Sequence, residues 1–542
     1  MAGPQLPESL FDVIVIGAGI NGAGIARDAA LRGLKVLLLD KGDLAGGTSS
    51  WSTRLIHGGL RYLEHGDLGL VRESLRERDC LLRVAPHLVR PVPMLLPVYR
   101  QARRGLWTIR AGMIAYDVLS AGKSLPRHQM LSTTATLQQV PSLNPEDLEG
   151  SALYFDAQVE FAERLVVENV LSAVAHGATV VTYARVDKLS IANNRVTAVE
   201  YSYGPQGTAG NREHHSAHAP VVVNAAGPWI DEVLSNTSIP APRLIGGTKG
   251  SHLIVSRFAG APDIAIYVEA ASDQRPFFII PWTGNYLIGT TDIRYQGDLD
   301  DVRIGPAEVA YLLRETNRVI PAAQLASRQI LYTYAGVRPL PFVSDTDEPS
   351  ITRRHFIREL PGIDNLLSIV GGKLTTYRSL AAATVAQIFQ KLRRQAPPST
   401  THRRALPGAA AANFAAFCQE FKQRSGLRQA TADRWLRIYG TRASLLSELM
   451  MADRSLAEVC DEETGALAAE VVFAFKHELA QTLVDCLFRR TMIGLNSDLG
   501  LKACEAAARV TRRHLGWSES RVAQELAAYH DSVARLGGVK RV

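Results

Sequence analysis

The chain has 542 residues, 46% of them apolar and 21% charged, with a formal net charge of +7. That length buries a large core without disulfides or metals, and the balance excludes wholesale disorder, a collagen-like fibre and a small disulfide scaffold. The mild positive excess permits anionic substrates, lipid or nucleic acid as partners and selects none of them.

The N-terminal stretch MAGPQLPESL has neither a basic n-region nor an apolar core, so no secretory signal is expected. Residues 11–40 then read as one βαβ unit: a buried-strand run at 11–16, a helix opened by glycines at 17–32, and a second buried strand at 35–39 ending at Asp40. Residues 165–176 have helical period and 179–183 read as a strand. Residues 196–203 and 220–224 read as strands around a polar loop, and 251–295 are strand-rich with a hairpin around Gly284-Asn285. Further on come a helix at 308–319, a strand at 366–370 and a helix at 379–392. A polar, Pro-containing linker at 394–404 leads into sequence of helical period that runs to residue 542. No run of 18 or more apolar residues occurs, so no bilayer-spanning helix is expected. Cys80, Cys418, Cys460, Cys486 and Cys504 form no CxxC pair, which argues against a zinc ribbon or Fe–S cluster and fits a reducing compartment. His214, His215 and His218 fall in the polar loop without a nearby cysteine, and no metal is expected there.

Gly17-x-Gly19-x-x-Gly22 follows a strand and opens a helix. Such glycines allow a tight turn, close approach to a pyrophosphate and close helix–strand packing, while the helix N-terminus offers N–H donors to phosphate. Asp40 ends the next strand, where a carboxylate can accept from ribose hydroxyls. This pattern marks a dinucleotide site and does not separate FAD from NAD.

Residues 48–64 read TSSWSTRLIHGGLRYLE. Small hydroxyl residues followed by Gly-Gly let backbone lie against a flat ring. Here the sequence resembles the FAD-dependent glycerol-3-phosphate dehydrogenases, within the D-amino-acid-oxidase-like flavoenzymes. Matching segments follow in the family's order: VVNAAGPW at 222–229, KGSH at 249–252, YAGVRPL at 334–340 and GGKLTTYR at 371–378. Pro281-Trp282 and GTTD at 289–292 also look like the family. The resemblance covers about residues 10–400 and continues more weakly through LFRRT at 487–491. Asp40 departs from it, since a Glu is commoner there.

The resemblance implies an α/β fold of three parts. A discontinuous Rossmann-type FAD-binding domain takes residues 1–85, 150–240 and 335–395. A β-rich substrate (cap) region takes 86–149 and 241–334, and a helical C-terminal domain takes 400–542. It implies FAD contacts from Gly17, Gly19, Gly22, Asp40, Thr48, Ser49, Ser50, Leu55, His57, Gly58, Gly59, Ala226, Gly227, Trp229, Gly336, Gly372, Lys373, Leu374 and Thr375. The substrate it implies is sn-glycerol 3-phosphate, bound by Arg61, His252, Thr291, Arg338 and Lys373, of which His252, Arg338 and Lys373 are catalytic. A phosphate dianion calls for two or more cations, best with Arg forks. Hydride leaves C2 for the flavin while a base takes the C2 hydroxyl proton. His252 is preferred as base because an ordinary imidazole titrates at about 6.5, and His57 is its rival. Lys373, at a strand–Gly-Gly–helix turn, can bring positive charge to the flavin edge where negative charge develops.

Residues 80–116 hold six arginines (Arg83, Arg90, Arg100, Arg103, Arg104, Arg110), no Asp or Glu, and Trp107 within an apolar stretch. Basic and aromatic side chains together favour an anionic lipid surface. The expectation is a cytoplasmic protein bound peripherally to the inner face of the membrane, passing electrons to a membrane quinone; a homodimer is left open. Oxygen is the rival acceptor, and an amino acid or 2-hydroxy acid the rival substrate. A basic nucleic-acid-binding protein is disfavoured, since no zinc-finger, KH or RRM motif is evident.

Overall fold

The structure, a computed structural model, describes residues 11–64, 66–120, 122, 124–204, 212–237, 240–343 and 351–537, with only the backbone of Arg61 and Glu64. Residues 1–10, read above as lacking a secretory signal, and 205–211 of the polar loop lie outside the described residues.

Val13–Ile16 pairs in parallel with Val36–Leu39 on one side and Val221–Asn224 on the other. Thr179–Val181 and Ile363–Val370 extend this sheet in parallel, and Phe356–Leu360 closes it antiparallel, giving six strands. The strands read as unbroken apolar runs because both faces are covered. Val13, Val15, Val36 and Leu38 pack on helices Ile20–Leu31, Ala162–Val174 and Tyr377–Lys391. Ile14, Ile16, Leu37 and Leu39 pack on a three-stranded sheet of Ala184–Ala192, Arg195–Tyr203 and Glu213–Ala217. His214 and His215 therefore lie on an antiparallel edge strand, where a loop was expected, because backbone pairing with Tyr201 and Ser202 outweighs their low strand preference.

A ten-stranded sheet forms the cap. Its strands include Val89–Tyr99, Leu148–Val159, Thr248–Val255, Pro276–Trp282, Asn285–Gly289 and Ile330–Arg338. The hairpin turns on Thr283 and Gly284, one residue before the expected pair, with φ 49° and 81° as a two-residue type I′ turn requires. Strand pairing cuts across the expected segments. Leu148–Val159 pairs with Val89–Tyr99, and Ile330–Arg338 pairs with Thr248–Val255, so parts of 150–240 and 335–395 belong to the cap sheet.

The C-terminal part is helical apart from a short pair, Val459–Asp461 with Ala466–Leu467. Buried ion pairs fasten it to the first domain. Arg490 donates to both oxygens of Asp43 at 2.7 and 2.9 Å, and Arg489 Nε donates to Asp43 at 2.5 Å. Arg164 forms a two-pronged pair with Glu478 at 2.5 and 2.7 Å. Removing one member of such a pair strands a buried charge, so these contacts fix how the domains meet.

Helix Leu106–Leu119 lies on the surface, and its buried residues are Met113 and Tyr116. Trp107, Ile114 and Val118 are 78%, 51% and 69% exposed. Their spacing puts them on one face of the helix. Exposed Arg103 precedes this face and the Arg110 guanidinium lies 5.5 Å from the Trp107 ring centroid. Arg104 is largely buried in an ion pair with Glu269, so it is not part of the exposed basic set. No helix among the described residues is long and apolar enough to cross a membrane.

Candidate active site

One cleft of about 2100 Å³ runs from Asp40 past the glycine turn to the cap sheet. The three glycines play separate parts. Gly17 has φ +102°, and a Cβ there would lie 2.6 Å from the Ala225 carbonyl oxygen. A Cβ on Gly22 would lie 1.8 Å from the Gly17 oxygen, so Gly22 serves helix–strand packing behind the cleft. A Cβ on Gly19 would meet only Ser49 Oγ, at 3.3 Å, and would point into the cleft space. Gly19 caps helix Ile20–Leu31 without a side chain, and the Ile20 N–H donates to Ser49 Oγ at 3.0 Å, so the hydroxyl sits at the helix start beside that space.

Asp40 Oδ2 accepts from the Ala18 N–H at 2.6 Å and Oδ1 from the Gly42 N–H at 2.8 Å. Each oxygen keeps a lone pair for a ribose hydroxyl, so the shorter acid suffices. The Asp40 carboxylate, the empty Cβ position and the side-chain-free Gly19 at the helix start fit a dinucleotide. Thr48, Ser49, Leu55, His57, Gly59, Ala226, Gly227, Trp229, Gly336, Gly372, Lys373, Leu374 and Thr375 all line the same cleft. Ser50 does not: its hydroxyl donates to the Ala45 carbonyl at 2.7 Å. Gly58 also lies behind the wall, where a Cβ would fall 2.3 Å from Tyr116 Oη.

At the cap end, arginines from three segments meet around Asp292. Arg338 Nη1 donates to Asp292 Oδ1 at 3.0 Å, and Arg353 Nη2 to Oδ2 at 2.7 Å. Arg275 donates to the Asp292 carbonyl oxygen. Burial pushes the Asp292 carboxyl up, but Arg338 and Arg353 carry it below the usual range. Arg275 also pairs with Asp273 at 3.8 Å, so three cations stand against two carboxylates and leave one net positive charge at the cleft, which all three arginines line. Lys373 adds to it. Its Nζ lies 3.7 Å from the Tyr62 ring centroid, and burial lowers its pKa.

His252 lines the cleft beside this cluster. Its Nε2 is 2.9 Å from Thr53 Oγ1 and its ring lies 4.8 Å from that of Tyr334. Burial, then the charges of Arg338 and Arg54, push its pKa well below the ordinary value. The shift favours the neutral imidazole, whose Nδ1 is buried without a hydrogen-bond partner among the described residues. His57 is held by its backbone, whose N–H donates to Thr375 Oγ1 at 3.2 Å.

Thr291 stands apart from the expected substrate contacts. Its Oγ1 accepts from the Ser251 N–H at 3.0 Å and donates to Glu308 at 2.6 Å, out of the cleft. Thr290 takes the cleft position and accepts from Arg338 Nη2 at 3.0 Å. Arg61 opens the short helix Arg61–Glu64, and its side chain lies outside the described residues. Arg353, Arg275 and Tyr62 were not singled out from the sequence. Arg353 carried one faint signal, a basic pair just ahead of a strand.

Fold and site together define a flavin-type oxidoreductase: a Rossmann dinucleotide cleft whose far end meets a cationic pocket under a β-sheet cap. The chain belongs to the family of FAD-dependent oxidoreductases, whose pattern matches residues 12–385, and FAD is its cofactor. Residues 399–522 match the C-terminal domain of alpha-glycerophosphate oxidase. The chain is 45% identical to a glycerol-3-phosphate dehydrogenase of Synechocystis sp. over 539 residues, 97% of each chain. It is 36% identical to the aerobic glycerol-3-phosphate dehydrogenase of Escherichia coli over 522 residues, 93% of this chain and 98% of the relative. The solved glycerol-3-phosphate dehydrogenase of Bacillus halodurans, complexed with FAD, superposes with a TM-score of 0.81 at 28% identity, covering 99% of this chain and 97% of that one.

Proposed function

We propose that this protein oxidises sn-glycerol 3-phosphate to dihydroxyacetone phosphate and passes the electrons to a membrane quinone. The observation that carries the substrate reading is the cluster of Arg338, Arg353 and Arg275 beside neutral His252 at the cap end of the dinucleotide cleft. Bound in this cleft, FAD would supply the hydride acceptor for C2 of the substrate. The arginines bind the phosphate and orient the three-carbon chain. His252 accepts the proton of the C2 hydroxyl, and Thr53 holds its ring through Nε2. Lys373 supplies positive charge at the turn after strand Ile363–Val370.

His252→Asn should keep FAD and slow its reduction by about 10²-fold, within the range of general-base contributions. In the unaltered protein the neutral base form persists above a lowered pKa. The rate should stay flat as pH falls through about 6.5, the ordinary histidine value, and drop only below it. Stopped-flow reduction by glycerol 3-phosphate across pH measures both. An unchanged rate in the variant removes His252 as the base.

The exposed Trp107, Ile114 and Val118 stripe, with Arg103 and Arg110 beside it, supports a peripheral membrane site and so a quinone over oxygen. Trp107→Ser combined with Arg103→Glu and Arg110→Glu should abolish sedimentation with anionic liposomes at low salt. Turnover with a soluble dye should persist while turnover with membrane quinone falls. Equal liposome binding by the variant, or peroxide formed in step with product, sinks the quinone reading.

A further inference from the structure

His57 and Gly59 line the cleft with Gly58 between them behind its wall, and this stretch is held from two sides. On one, the His57 N–H donates to Thr375 Oγ1 at 3.2 Å, and both residues line the cleft. On the other, the Gly58 N–H donates to Tyr116 Oη at 2.9 Å, and Tyr116 in turn donates to Asp156 Oδ1 at 2.8 Å. Arg78 Nη1 donates to the same carboxylate oxygen at 2.5 Å, so the buried charge of Asp156 is matched. The contact is tight: a Cβ on Gly58 would lie 2.3 Å from Tyr116 Oη and 2.5 Å from Leu75 Cδ2.

Tyr116 belongs to the surface helix Leu106–Leu119, and with Met113 it makes up the buried side of that helix. It follows Ile114 and precedes Val118 by two residues, about 200° round the helix axis from each. The apolar stripe and the hydroxyl that grips Gly58 are thus opposite faces of one rigid element. A tilt or slide of the helix moves that hydroxyl against Gly58. Among the described residues the Gly58 N–H has one other acceptor, Asp156 Oδ1 at 3.3 Å. Burial and the Asp156 charge raise the Tyr116 pKa well above the phenolic value, so the hydroxyl keeps its proton and its two-way role.

We propose that Tyr116 is a positioning residue that couples the exposed face of its helix to residues 57–59, so that contact with an anionic lipid surface adjusts the flavin's surroundings. This rests on the membrane reading of that face given above. The holoenzyme is mixed with vesicles of phosphatidylglycerol or of phosphatidylcholine, and sedimentation, the visible flavin spectrum and the rate of flavin reduction are recorded. The unaltered protein should sediment with phosphatidylglycerol, shift its flavin spectrum and change its reduction rate by about fivefold, the kinetic equivalent of one neutral hydrogen bond. Tyr116→Phe keeps the ring in its packing. It should retain FAD and sediment equally, and lose the spectral and kinetic response. Trp107→Ser leaves the buried network intact and should lose sedimentation and response together. Unaltered protein that fails to sediment overturns the membrane reading and the coupling with it. Unaltered protein that sediments without a flavin response, Tyr116→Phe that responds like the unaltered protein, or Trp107→Ser that responds without sedimenting, overturns the coupling alone.

Discussion

Replacing Arg338 with Ala should lower kcat/KM for glycerol 3-phosphate by about 10²- to 10³-fold, as the loss of a charge-assisted fork on a phosphate predicts. Free glycerol, which has no phosphate to bind, should lose far less. Arg338 is the central cation of the cluster, bonded at once to Asp292 and Thr290. Without it, Asp292 offsets more of the charge of Arg353, and the net field at the cap end weakens. A second signature follows from His252, whose pKa is held down partly by Arg338. Loss of that charge should move the acid limb of the pH profile upward, toward the ordinary histidine value. Arg338→Lys keeps the charge but not the fork. It should leave the acid limb nearly in place and recover part of kcat/KM. Equal losses on glycerol and glycerol 3-phosphate would contradict a phosphate role. An unmoved acid limb would separate Arg338 from His252.

The dinucleotide half was readable because its physics is local. Strands buried on both faces are unbroken apolar runs, and the glycine spacing needs only the next few residues to make sense. The cap sheet was harder. Val89–Tyr99 carries Pro91, Pro93 and Pro97, which argue against a strand when read alone. One neighbour pairs along its whole length, while the other reaches only Met94 and Leu95, leaving most of that edge free of donor requirements. The cationic pocket was legible in part. Arg338 sits in a motif, but Arg353 and Arg275 come from other segments and meet it only around Asp292. Thr291 shows a finer limit. Alternate residues of an extended segment face opposite ways, so choosing between Thr290 and Thr291 needs the register. The pairing of Arg104 with Glu269 likewise joins the surface segment to a strand more than 150 residues away in the chain.

Gly19→Val should yield folded protein nearly free of FAD. The three glycines differ in what a side chain meets. At Gly22 a Cβ would fall 1.8 Å from the Gly17 oxygen, and at Gly17 it would meet Ala225 backbone in a conformation that side chains avoid, so substitution there disturbs folding. Gly19 has φ −73°, which any residue can adopt, and its Cβ would meet no protein atom closer than Ser49 Oγ at 3.3 Å. The isopropyl group would occupy the space at the helix start where backbone must approach the pyrophosphate. FAD affinity should fall by at least about 10²-fold, an overpacking cost expressed on the ligand and not on the fold. Far-ultraviolet circular dichroism should remain that of the unaltered protein, while the flavin absorbance per chain largely disappears. Gly19→Ala, with a single methyl, should fall between the two. Full flavin occupancy in Gly19→Val would place the cofactor elsewhere in the cleft. Joint loss of flavin and of secondary structure would show that Gly19 serves folding, as Gly22 does.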